Sequence, residues 1–118
     1  MDKYILKVAA TGEVTREEFN DENPLDQLHS AVGGYIERVP IAMLRGRDLF
    51  VDEDGIAKKL PINPTLTNFA KHRTRDTLLT LVGDGVFVAH DGEGNTIGLT
   101  DAECADIEKA IALANRGN

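Results

Sequence analysis

Apolar positions fall along this chain in short clusters of two different periods, and the turn and cap residues between them mark where each cluster stops. Tyr4-Ile5-Leu6-Lys7-Val8-Ala9 is short and rich in strand formers, with Thr11-Gly12 behind it as a turn signal. Residues 13–22 are polar and acidic and read as a connection ending at Asn23-Pro24. There Asn23 suits an N-cap, Pro24 suits the first helical position, and Asp26 suits the positive end of the helix dipole. Leu25, Leu28 and Val32 then recur at helical spacing, and Gly33 stands where a left-handed residue closes a helix, so the spacing predicts a helix over 24–32. After Gly33-Gly34 the run Tyr35 to Met43 is β-branched and aromatic, which predicts a strand. Pro40, lacking an N–H, confines part of it to an edge or bulge.

Further along, Leu49-Phe50-Val51 predicts a strand running into the turn Asp52-Glu53-Asp54-Gly55, with Ile56 starting the return. Asn63-Pro64 repeats the cap-plus-proline pattern, and Leu66, Phe69 and Ala70 follow at i, i+3 and i+4, so a short helix over 64–71 is expected. Residues 78–82 and 86–89 both read as strands, separated by Gly83-Asp84-Gly85 as either a hairpin turn or a bulge. A polar turn over 90–95 leads to a last short strand at 96–99. Thr100-Asp101-Ala102-Glu103 then fits a capping box at the head of a helix whose stripe is Cys104, Ile107, Ile111 and Ala114. Asn115 to Asn118 read as a frayed end. The predicted fold is a single α+β domain over 1–118. It has a mostly antiparallel sheet, a helix after the first strand, a short middle helix, and a C-terminal helix packed on a sheet face.

A length of 118 residues agrees with one domain and one core. Cys104 stands alone, so an intrachain disulfide is ruled out and a reducing, cytoplasmic setting is expected. The start Met1-Asp2-Lys3-Tyr4 lacks the apolar segment of a signal peptide, and no run approaches the roughly 20 apolar residues of a membrane span. The net charge of −7 is uneven. Residues 1–30 carry 3 basic and 7 acidic side chains, residues 31–75 carry 8 and 5, and residues 76–118 carry 2 and 8. An acidic whole disfavours general nucleic-acid binding, while the basic middle leaves room for a local anion site.

Candidate chemistry is sparse. Asp52-Glu53-Asp54-Gly55 fails as a calcium loop because the flanking ligand positions would be Phe50 and Pro61, and Asp91, Glu93 and Asn95 lack the glycine at the required offset. His29, His72 and His90 are far apart in sequence, so no metal site is expected; His29, one turn from Leu25, is expected packed or partly exposed. Ser30 is the only serine and sits inside a predicted helix, which argues against a serine nucleophile. Cys104 lies on an apolar stripe and reads as core. Gly33-Gly34 follows a helix and precedes a strand, the reverse of a phosphate loop, so both glycines read as structural, with Pro40. No catalytic constellation or cofactor motif emerges. What remains is the basic middle, Arg38, Arg45, Arg47, Lys58, Lys59, Lys71, Arg73 and Arg75; Arg45-Gly46-Arg47 and Arg73-Thr74-Arg75 sit in predicted loops, where guanidinium forks suit an anion, with Tyr35 as a stacking platform.

The stretch Leu28 to Pro40, with Val32-Gly33-Gly34-Tyr35-Ile36-Glu37 at its centre, resembles the signature of domain-of-unknown-function family 3846, small proteins of phages, plasmids and bacteria. Val51 to Gly55, Leu60 to Asn63, Leu81-Val82-Gly83 with Val86-Phe87-Val88, and the capped last helix occur in the same order. The basic run Lys71 to Thr77 departs from the pattern. The resemblance implies a mobile-element setting and no particular activity. The function expected is non-catalytic binding to a host protein or other partner in the host cytoplasm, with host defence as one process it would modulate. The alternatives are capture of a nucleotide or other small anion by Tyr35 and the central arginines, or an enzyme of unknown type. Strand alternation places Tyr35 and Glu37 on one face and Ile36 with Arg38 on the other. Tyr35, Glu37, Arg38 and Asn63 are the expected sensitive cluster, with Asn63 as a partner for Glu37.

Overall fold

In the computed structural model, which describes residues 2–41, 46–74 and 78–116, the chain builds a mostly antiparallel α+β sheet with helices on both faces. The strands are β1 (Tyr4–Val8), β2 (Val14–Glu18), β3 (Ile36–Arg38), β4 (Arg47–Asp52), β5 (Gly85–His90) and β6 (Thr96–Ile97). The helices are α1 (Pro24–Val32), α2 (Pro64–Lys71) and α3 (Asp101–Ala114). The sheet runs β2-β1-β5-β4-β3, and β6 pairs with β5 beyond the end of β1. Every ladder is antiparallel.

Period-two alternation on the central strands makes two cores. Ile5, Val86 and Val88 face α1, where Leu28, Ala31 and Val32 cover them. Leu6, Val8, Leu49, Val51, Phe87 and Ala89 face the other way, onto α2 and α3. Phe69 of α2 meets Phe87 edge-on at 5.3 Å between ring centroids. All four stripe residues of α3 are buried, Cys104 among them, and its capping box forms in full, Thr100 Oγ1 accepting from the Glu103 N–H and Glu103 from the Thr100 N–H. Burial raises the Cys104 thiol above its ordinary range, as befits a core residue.

Both proline-started helices have the predicted bounds, but their caps differ. Asn63 accepts from the Leu66 N–H at 3.0 Å, whereas Asn23 makes no side-chain cap. The entry to α1 is organised instead by Asn20, whose side chain accepts from the N–H groups of Glu22 and Asn23. Leu25 lies off the core face and is 55% exposed; Ala31 takes its place on the buried stripe. Asn115 is not frayed: its amide donates to Thr65 and Ile111 carbonyls and accepts from Asn68.

Three strand expectations change. The polar segment 13–22 contains β2, held by its ladder with β1; its Arg16 reaches Asp101 and Glu108 on α3 at 2.8 and 2.7 Å. An edge strand that pairs by backbone and faces charged partners leaves no apolar alternation to read. Residues 78–82 do not form a ladder strand: Thr67 Oγ1 on α2 bonds both the N–H and the C=O of Leu81, and only Val82 bridges, to Ile62. Gly83-Asp84 is therefore the lead into β5. Ile56 starts no return strand but sits in a series of turns over 53–59, 80% exposed.

Candidate functional site

The signature stretch forms the corner where α1 hands over to the edge of the sheet. Gly33 adopts φ 83°, a left-handed closing residue that lets the Gly33 and Gly34 N–H groups both bond the His29 carbonyl. Gly34 is small for a different reason. A Cβ there would lie 2.6 Å from Lys58 Nζ and 2.9 Å from Asp52 Oδ2, so the glycine leaves space for an ion pair.

That pair joins Lys58 Nζ to Asp52 Oδ2 at 2.8 Å, with Asp52 only 5% exposed and its other oxygen accepting from the Asp54 N–H. The Lys58 hydrogen bond, helped by that backbone N–H, holds the Asp52 carboxyl below its ordinary value, and the same bond raises Lys58. A carboxyl depressed in the folded state contributes stability above its unfolded pKa, near 3.8, and loses it as pH falls through the lower native value. Asp52→Asn should therefore be less stable than the parent at neutral pH, and the gap should narrow as pH is lowered to about 2. Urea unfolding at several pH values checks this; a constant gap would place the effect in packing and not in charge.

β3, reaching only from Ile36 to Arg38, is the last strand of the sheet path, and Tyr35 lies just outside it. Bonds from the Glu53 N–H to the Tyr35 carbonyl and from the Val39 N–H to the Leu49 carbonyl fix which residues face β4. With the register Glu37↔Val51, residues 35, 37 and 39 bond inward, and Ile36 and Arg38 turn their N–H and C=O groups outward. Among the described residues nothing pairs with those four groups. Pro40 ends the donor row. The other edge differs: on β2 the Glu18 carbonyl is already taken by Gln27 Nε2 at 2.8 Å.

Two hollows flank this corner. On the α2 side a cavity of about 200 Å³ is lined by Glu37, Val39, Val51, Glu53, Ile56 and Leu81, among others. On the α1 side an open depression is bordered by His29, Tyr35, Asp54 and Lys58. Tyr35 is 68% exposed and meets the half-buried His29 edge-on at 5.5 Å.

The expected cluster is thus divided. Tyr35 borders one hollow and Glu37 the other, although the Tyr35 carbonyl still bonds inward to β4. Asn63 is fully buried, its amide donating to the Val8 and Gly83 carbonyls, so it is no partner of Glu37. Arg38 lies 3.8 Å from Asp48, which His90 Nδ1 also contacts at 2.7 Å. Arg47 is directed to α3, 3.4 Å from Glu103 and 3.6 Å from Asp106. Arg45, with Ala42 and Met43 of the predicted strand, lies outside the described residues. Arg38 and Arg47 therefore point to opposite faces, each toward carboxylates, and do not converge on one anion. No described helix is long and apolar enough to cross a membrane, and no group of three or more potential metal ligands gathers among the described residues.

The family model described as a domain of unknown function, DUF3846, matches residues 1–112 of the 118. This chain belongs to the DUF3846 family. No curated protein and no solved structure matches it. Within this DUF3846 chain, the Gly33-Gly34 pair makes the helix stop and the space for Lys58 and Asp52, while the residues after it supply the open sheet edge. Sequence reasoning missed Asp52 and Lys58 as a pair. The signal was the second glycine, which a helix stop alone does not need.

Proposed function

We propose that this DUF3846 protein is a non-catalytic binding module that takes an extended segment of a partner protein along β3 by strand addition. The observation carrying this reading is the outward row of Ile36 and Arg38 N–H and C=O groups beside an apolar-walled hollow. A strand laid on an edge gains main-chain hydrogen bonds and sends alternate side chains to the two sheet faces, where hollows select among them. Four backbone groups alone give weak affinity, so the hollow supplies selectivity and much of the binding. Of the two sheet ends, β3 is favoured because the β2 edge already has a carbonyl occupied and presents Thr15, Arg16, Glu17 and Glu18 as exposed polar side chains.

Selection of short randomised peptides against the purified protein tests the proposal. Selected peptides should bind with amide shifts centred on Ile36 to Val39, and Arg38→Pro should abolish binding by removing an outward N–H while keeping the inward ladder to β4. The melting temperature of that variant should change little. Shifts centred elsewhere, or full binding by Arg38→Pro, would contradict the proposal.

A further inference from the structure

From the charges around the β3 hollow we infer the chemistry of the segment it takes: a strand carrying a lysine or arginine, with an apolar residue two positions away on the same face. This rests on strand addition at β3 and adds to it the identity of the side chains.

The α2-side hollow changes character along its length. The ladder sets Glu53 beside Tyr35, Glu37 beside Val51 and Val39 beside Leu49, so the two acids stand toward one end and Val39 further along, with Leu81 also on the lining. Neither Glu37 nor Glu53 has an ion-pair partner among the described residues. The third acid at this cavity, Asp52, is already held by Lys58, and Arg38 approaches Asp48. Arg38 also borders the hollow but is directed to Asp48 on the other face, so among the described residues the hollow presents two carboxylates without an ion-pair partner beside an apolar wall. A strand laid on β3 places one side chain next to Glu37, and the side chain two residues along falls beside Val39. A basic residue at the first place and an apolar one at the second complement both. The protein's net charge of −7 also favours approach of a basic segment.

A second copy of this chain fits less well. The two-fold register using all four outward groups pairs Ile36 with Arg38 of the other copy. It then sets the two Glu37 carboxylates directly opposite each other, a like-charge pair that opposes association.

The blocked peptide Val-Thr-Lys-Thr-Val offers the pattern in either strand direction, and its twin with Glu in place of Lys reverses the charge. On the native protein the Lys peptide should bind roughly tenfold more tightly than the Glu peptide, and Glu37→Lys, at an exposed position, should invert that preference. Equal binding of both peptides, with the Ile36 and Arg38 amides protected in each complex, would overturn the charge assignment and leave strand addition standing. Binding of neither peptide would overturn both. Preference for Lys that Glu37→Lys leaves unchanged would also overturn the assignment, by locating the selecting charge elsewhere.

Discussion

Phe87→Ala should lower stability by about 4 kcal/mol, the largest loss expected of any single truncation here. Phe87 is fully buried on the central strand, between Leu6 of β1 and Leu49 of β4 in the ladder, with the Phe69 ring edge-on above it. Removing the ring deletes the aromatic contact between α2 and the sheet, beside which Leu66 and Ala70 are also buried. Because β5 is held on both sides, the space is poorly able to collapse, and a cavity cost adds to the lost burial. Equilibrium denaturation measures the effect directly. A loss under about 1 kcal/mol would mean that the two aromatic rings do not form the centre of the core.

Asn63→Ala should cost about 3 kcal/mol, more than an ordinary helix cap, because the side chain does three things at once. Its oxygen accepts from the Leu66 N–H, and its amide donates to the Val8 and Gly83 carbonyls at 3.1 and 2.9 Å. Alanine leaves all three backbone groups without that partner in a fully buried place. Asn63→Asp keeps the cap acceptor but turns a second oxygen toward two carbonyls, so it should also be destabilised, and less so in acid where the carboxyl is protonated and can donate. Peptide binding at β3 should survive in whatever fraction of either variant remains folded. Loss of binding without loss of stability would return Asn63 to the site.

Much of the fold is legible in the sequence because it is written in local chemistry. Pro at the first helical position, Gly33 at the stop and the Thr100–Glu103 box mark α1, α2 and α3 through backbone needs that no tertiary context alters. Strands are less legible where their side chains serve something other than a core. β2 owes its place to the β1 ladder and to Arg16 on α3, and residues 78–82 look like a strand but give the Leu81 backbone to Thr67. The Arg16 partners lie 85 and 92 positions away and Thr67 lies 14 from Leu81, so neither outcome is written in local sequence. The same limit applies to the site. The Gly33–Arg38 stretch stands out as a unit, yet whether a cap residue such as Asn63 or a loop arginine such as Arg47 meets it is decided by the fold and not by local sequence. The fold sends Asn63 into the core and Arg47 to α3. The Lys58–Asp52 pair is hidden because the five turn residues 53–57 separate its members, a spacing with no regular period.

Amide hydrogen exchange along β3 tests the open edge most directly. In the free protein the Glu37 and Val39 amides, bonded toward β4, should exchange slowly, and the Ile36 and Arg38 amides should exchange fast, giving an alternation along four successive residues. Adding the Val-Thr-Lys-Thr-Val peptide should slow Ile36 and Arg38 and leave Glu37 and Val39 unchanged. Protection of Ile36 and Arg38 in the free protein, or bound peptide that leaves them fast, would contradict an edge that accepts a partner strand.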